Sequence, residues 1–199
     1  MPHRSENLQR FVEAASRGFD ECAKDPDSRR SIAAIFSSLS VPTAGAGIPA
    51  KRLPVCSYLD QALDLRTSDR VLIDLASAFR AVEPSLQWRR RAADASASDN
   101  FFDGHANVMI LGPGGLEDRR DVWLGATLMA PNVRYADHDH APEETYLVLS
   151  EGDFRRDDTA WFMPGIGGSF YNPPGIRHAM RSGERPLFAF WALWAGSTP

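Results

Sequence analysis

Apolar residues recur at intervals of three and four along the first eighty positions and then fall into short alternating runs, which predicts helices followed by strands. Leu8, Phe11, Val12, Ala15 and Phe19 form one apolar helical stripe. Ile32, Ile35, Phe36 and Leu39 repeat the spacing, with Ser28 placed as an N-cap and Pro42 beyond the end. Gly45, Gly47 and Pro49 mark a flexible connection from Thr43 to Pro54. A third helix is expected from about Ser68 to Val82, closed by Pro84. After a polar stretch from Arg89 to Asn100, strands are expected at Asn107–Leu111, Val122–Ala130, Thr145–Ser150, Ala160–Met163, His178–Ser182 and Leu187–Trp194. Turn sequences such as Gly112-Pro-Gly-Gly115 and Pro173-Pro-Gly175 separate them, as in an antiparallel sandwich or barrel. The expected organisation is a helical segment over residues 1–83 packing on a mainly β body over residues 84–199.

Bulk properties narrow the partners. A chain of 199 residues, 43% hydrophobic and 24% charged, has the composition of an ordinary globular domain. The net charge of −4 argues against nucleic acid and against anionic membrane surfaces, and leaves a small molecule as the expected partner. Cys22 and Cys56 belong to no Cys-x-x-Cys pair, so two free thiols are expected rather than a disulfide. Residues 1–30 are polar with no apolar signal core, and no run approaches a membrane span. The cytoplasm is the expected compartment.

Chemistry concentrates in Tyr135-Ala-Asp-His138-Asp-His140-Ala-Pro-Glu-Glu144-Thr-Tyr146. In extended chain, residues two apart share a face, so His138 and His140 can project toward one point. In the strand that follows, Glu144, Tyr146 and Val148 lie on one side and Thr145, Leu147 and Leu149 on the other. A buried carboxylate beside imidazoles is costly without compensation, and a cation supplies it. His178 follows the Pro173-Pro-Gly175 turn and offers a third imidazole. His138, His140, Glu144 and His178 are therefore the expected ligands of one divalent transition metal ion, such as zinc, iron(II) or manganese(II). Open coordination positions would remain for a substrate. Asp137 and Asp139 are expected to orient the loop or face solvent, and His3 and His105 are assigned no role.

The two stretches resemble the paired motifs of the cupin superfamily. His138-x-His140 followed by Glu144 fits the first, and Gly167, Pro173, Gly175 and His178 fit the second. The leading glycine of the first is absent, Gly152 closes it one position late, and Ser182 stands where asparagine is usual. The run from Tyr135 to Gly152, with the helical N-terminus and the Trp191-Ala-Leu-Trp194 ending, is similar to the cupin-type dimethylsulfoniopropionate lyases of the Q type.

The resemblance implies a cupin-type antiparallel β-barrel, the double-stranded β-helix. It also implies a metal-dependent β-elimination that cleaves dimethylsulfoniopropionate to acrylate and dimethyl sulfide. Metal binding of the substrate carboxylate would acidify the α-proton. Tyr146 is then the expected base, contacting the metal until substrate displaces it, and Tyr135 is expected to position substrate or transfer a proton. The sulfonium calls for aromatic faces; of Trp191 and Trp194, which alternation puts on opposite faces, Trp194 is the expected substrate contact. Competing readings are another cupin enzyme, such as an iron(II) dioxygenase, and a non-catalytic small-molecule-binding cupin.

Overall fold

The computed structural model describes residues 3–196. Helices α1 (Glu6–Cys22), α2 (Pro26–Ser38), the single turn α3 (Leu59–Ala62) and α4 (Arg70–Val82) occupy the first part of the chain. Each long helix begins on a side-chain cap: Ser5 accepts from the Leu8 N–H, Asp25 from those of Asp27 and Ser28, and Asp69 from those of Val71 and Leu72. Such caps satisfy backbone donors that a first turn leaves open. The cap of α2 is Asp25, not Ser28, because Pro26 pre-sets the first helical residue. Ser28 lies inside the helix, fully buried, and its hydroxyl accepts from Thr145.

After the helical turn α5 (Phe101–Gly104) the chain is largely strands. β1 (Trp88–Arg89), β2 (His105–Leu111), β3 (Val122–Met129), β4 (Glu143–Val148), β6 (Ser169–Asn172) and β8 (Leu187–Trp194) form one sheet in the order β1-β2-β3-β8-β4-β6. β5 (Asp153–Arg156) and β7 (His178–Arg181) form a second sheet of two. All of these pairings are antiparallel.

The closed cupin barrel expected from the sequence is not formed. β1 and β6 are the free edges of the larger sheet, and the segment before β4 meets the smaller one through the single bridges Arg134–Arg181 and His138–His178 and through backbone hydrogen bonds of Asn132, Val133 and Tyr135 with Gly183, Ser182 and Met180. The pairing of that segment is broken into separate bridges rather than a continuous ladder, with Asn132 left-handed at φ 58° at its start. The outcome is a mixed α/β, cupin-like fold of two facing sheets, neither closed into a barrel. Two further expectations fail locally. Residues 160–163 form only an isolated bridge from Phe162 to Phe154, and β5 and β6 lie where no strand was expected.

Helices serve the larger sheet where closure does not. Phe11 of α1 and Phe79 of α4 pack on Phe190 at centroid distances of 5.8 and 5.3 Å, and Phe79 meets Phe188 at 5.1 Å. Burying each such ring is worth about 1.5–3 kcal/mol. Phe188, Phe190 and Ala192 thus face the helices, so strand alternation turns Ala189, Trp191 and Leu193 toward the smaller sheet. A cavity of about 230 Å³ opens on that inner face.

Candidate metal centre and active site

Register decides which side chains reach the cavity, because residues directly opposite in an antiparallel pair share a face. Glu144 pairs with Leu193 of β8 and Asn172 of β6; Tyr146 pairs with Trp191 and Phe170. Glu143 points the other way, where Arg30 of α2 grips it at 3.0 and 2.7 Å and Tyr171 donates to it. That clamp ties the start of β4 to the helical layer and so fixes the neighbouring Glu144.

His140 and His178 bring Nε2 to 3.3 Å from the same oxygen of Glu144, and the ligand atoms of these three residues lie within 4.8 Å of one another. Asn172 donates to that Glu144 oxygen at 3.0 Å. His138 stands beside the group: it exchanges two backbone hydrogen bonds with His178, and their rings are 4.1 Å apart. Each of the three imidazoles is tied through Nδ1 to a backbone carbonyl two residues away, His138 to Ala136, His140 to Pro142 and His178 to Ile176, at 2.8–3.0 Å. With Nδ1 carrying the hydrogen, Nε2 is left as the lone-pair donor, a usual arrangement of metal-ligating histidines.

The electrostatics point the same way. Burial, then the neighbouring His178, pushes the His138 imidazole down to about 3, so it is neutral. Burial works against charge on His140 as well, but the adjacent Glu144 outweighs it and raises the pKa. Burial favours the neutral acid of Glu144, yet His140, His178 and Asn172 overcome it and hold the carboxyl below its usual range. The Nε2 atoms of His140 and His178 are buried without a hydrogen-bond partner. An anionic carboxylate facing two orphaned imidazole nitrogens is the donor set of a borderline divalent ion, and His140, Glu144 and His178 fit one such ion.

The cavity beside this cluster is lined by both tyrosines. Tyr146 is 1% exposed, stacks on Phe170 at 5.1 Å, and has its pKa raised well above the usual value by burial and then by Glu144. Tyr135 is pushed up to about 12 by burial, against a hydrogen bond of 2.6 Å donated by Asn107. Trp194 is not part of the lining. It pairs with Glu143 and Val122 and packs against the helix-side core, while Trp191 and Trp123 line the cavity. Alternation separated the two tryptophans of β8, but only the register with Tyr146 says which of them faces inward. Asn107, Thr127 and Asn172 also had no motif to announce them. A carboxylate needing a donor beside the Pro173 turn was the one available signal for Asn172.

Comparison with known proteins agrees with this geometry. The dimethylsulfoniopropionate lyase family matches residues 27–189. The dimethylsulfoniopropionate lyase DddQ of Ruegeria pomeroyi is 28% identical over 146 residues, 73% of this chain and 71% of that protein. The crystal structure of DddQ from Ruegeria pomeroyi DSS-3 superposes with a TM-score of 0.74 at 22% identity, covering 96% of this chain and 94% of that one. A structure reported for the lyases RdDddP and RnDddQII gives 0.71 at 22% identity, covering 94% and 92%. With the family match spanning most of the chain and a histidine–carboxylate cluster where a metal-dependent lyase needs one, this protein belongs to the dimethylsulfoniopropionate lyase family.

Proposed function

We propose that the cavity carries out β-elimination on dimethylsulfoniopropionate with Tyr146 as the base, releasing dimethyl sulfide, acrylate and a proton. The observation that carries this reading is the register placing Tyr146 two residues from Glu144 on the same inward face as the His140–Glu144–His178 cluster. His138, neutral and with its Nδ1 pinned like the others, is proposed as the fourth ligand. A divalent ion held there would polarise the substrate carboxylate and favour the Tyr146 phenolate over the phenol.

This chain's own residues do the rest. Burial, and then the Glu144 carboxylate, favour the Tyr146 phenol over the phenolate, and a positive charge held next to Glu144 would shift that balance toward the base. The phenolate takes the α-proton, the electron pair forms the new carbon–carbon double bond, and the β-carbon–sulfur bond breaks to release neutral dimethyl sulfide. Trp191, across the strand pair from Tyr146, and Trp123 offer aromatic faces to the sulfonium. The modest cavity suits a substrate of a few heavy atoms. Among the described residues no helix is long and apolar enough to cross a membrane, and the free Cys22 and Cys56 support a reducing, cytoplasmic setting.

The test is to incubate purified protein with dimethylsulfoniopropionate and zinc, manganese(II) or iron(II), with and without oxygen, and to measure headspace dimethyl sulfide and acrylate. Equal amounts of both are expected without oxygen, abolished by a chelator and restored by metal. An absence of dimethyl sulfide with every metal refutes the reading.

A further inference from the structure

Four polar side chains outside the metal cluster form a single hydrogen-bonded line along the cavity wall. Trp191 Nε1 donates to Thr127 Oγ1 at 3.1 Å. Thr127 Oγ1 donates to Asn107 Oδ1 at 2.7 Å, and Asn107 Nδ2 donates to the Tyr135 oxygen at 2.6 Å. The line crosses three strands. Asn107 of β2 is the register partner of Thr127 of β3, and Trp191 of β8 is the partner of Gly125. Gly125 is what lets the indole reach. A Cβ there would stand 2.2 Å from the Trp191 ring, so the missing side chain leaves the indole room to lie across β3 toward Thr127.

The direction of this line follows from chemistry. An indole N–H can only donate, so Thr127 must accept from Trp191. The Thr127 hydroxyl then has one hydrogen to give, and Asn107 Oδ1 takes it. Turning the amide over would aim two donors at Thr127 and leave its own hydrogen without an acceptor, at a residue only 2% exposed. The amide therefore presents its N–H to Tyr135. The phenol ring is wedged edge-on against Phe101 and His105 at 4.9 and 5.2 Å. Its oxygen already accepts from Asn107, and its own hydrogen has no acceptor among the described residues. That hydrogen is left for the cavity.

We infer that Trp191, Thr127 and Asn107 are positioning residues that hold the Tyr135 phenol as a hydrogen-bond donor to the substrate carboxylate. The inference rests on the substrate class proposed above and deepens it. A dimethylsulfonium group neither accepts nor usefully donates a hydrogen bond, so a donor on the cavity wall can read only the carboxylate end. The two tyrosines thereby divide the work: Tyr135 keeps its proton and orients the substrate, and Tyr146 takes the α-proton. The product acrylate keeps the same carboxylate, so Tyr135 should contact it as well.

The experiment uses metal-loaded protein and two readouts: calorimetric binding of acrylate, and the separate values of KM and kcat for dimethylsulfoniopropionate. Tyr135→Phe and Asn107→Asp, the latter turning the Tyr135 hydrogen back to the wall, should each weaken acrylate about tenfold or more, the scale of one hydrogen bond to a charged group. KM should rise by a larger factor than kcat falls. Thr127→Val, which changes no charge, should weaken acrylate about three- to tenfold by freeing the amide, and Thr127→Ser should recover most of that loss. Acrylate binding as tight in Asn107→Asp and Thr127→Val as in the unmodified protein overturns the inference. So does a Tyr135→Phe variant that loses kcat with KM intact, since Tyr135 would then be the base. If the unmodified protein releases no dimethyl sulfide, the lyase reading falls and calorimetry still decides this one. Acrylate affinity lost with the Tyr135 donor upholds it; equal affinity, or no acrylate binding at all, overturns it.

Discussion

Tyr146 and Trp191 stand directly opposite one another in the β4–β8 register, so a phenol and an indole enter one cavity from adjacent strands. The phenol is on the carboxylate's strand and the indole is not. Tyr146→Phe should therefore remove the proposed base and little else. The ring keeps its stacking on Phe170 at 5.1 Å, and the His140–Glu144–His178 cluster is untouched. A fall in kcat of about 10²- to 10⁴-fold is expected, the range for loss of a general base. Bound metal and melting temperature should stay near those of the unmodified protein. Turnover within about threefold of normal would assign the proton transfer to another group.

Gly125 tests whether the indole's seat matters. A methyl group there would lie 2.2 Å from the Trp191 ring and 2.2 Å from the Val108 carbonyl oxygen, so a backbone neighbour blocks relief on one side. Gly125→Ala should cost about 1–3 kcal/mol as overpacking. For a chain of this size each kcal/mol lowers the melting temperature by roughly 2–4 °C. KM should rise as well, because the indole can no longer lie across β3. An unchanged melting temperature and KM would show that the sheet yields there without consequence.

Much of the site could be read from sequence because its ligands sit close together along the chain. His140 and Glu144, with the proposed ligand His138 and the proposed base Tyr146, span one turn and one strand, where short sequence spacing brings them together. His178 needed the second motif, since nothing local connects it with Glu144. The helices were legible for a similar reason, their stripes being continuous. What stayed hidden depends on long-range register. Trp191 and Trp194 are equivalent in sequence until β8 is paired with β4, and Asn107 and Thr127 mean nothing until β2 and β3 align. The closed barrel was expected from the resemblance to cupins, the many short strands suiting a sandwich or a barrel alike. The segment before β4 instead pairs with β7 in separate bridges, and helices cover the larger sheet.

Asp137 precedes the histidine pair and holds its loop. Its carboxylate, 6% exposed, accepts from Arg134 at 2.6 Å and Arg155 at 3.0 Å and forms an ion pair with Arg177 at 2.8 Å, while its N–H donates to Ser96. Arg134 lies in the same loop, Arg155 on β5, and Arg177 just before His178, so one carboxylate joins both histidine-bearing segments. Asp137→Ala should weaken metal binding about 10- to 100-fold, as loss of an outer-shell support typically does. The exposed Asp139 is the internal control, and Asp139→Ala should bind metal as before. Competition against a chromophoric chelator measures both. Equal affinities in the two variants would remove Asp137 from the site's support.

Asp121 should make part of the stability depend on pH. Arg119 donates two hydrogen bonds to it, at 2.9 and 2.8 Å, and Ser38 at the end of α2 donates a third. Those bonds, Arg119 foremost, hold its carboxyl far below the usual carboxylate range against a smaller opposing effect of burial. A depressed folded-state pKa stabilises the protein above the unfolded value of about 3.9 and loses that contribution as the pH falls toward the folded value. Asp121→Asn should lower the melting temperature at pH 7 by roughly 2–4 °C, for about 1 kcal/mol from a partly exposed pair. That difference should shrink steadily below about pH 4, where the unmodified chain begins to lose the same contribution. Melting curves of both proteins from pH 7 to pH 3 decide it. A gap that stays constant over the range would mean that Asp121 acts through shape rather than charge.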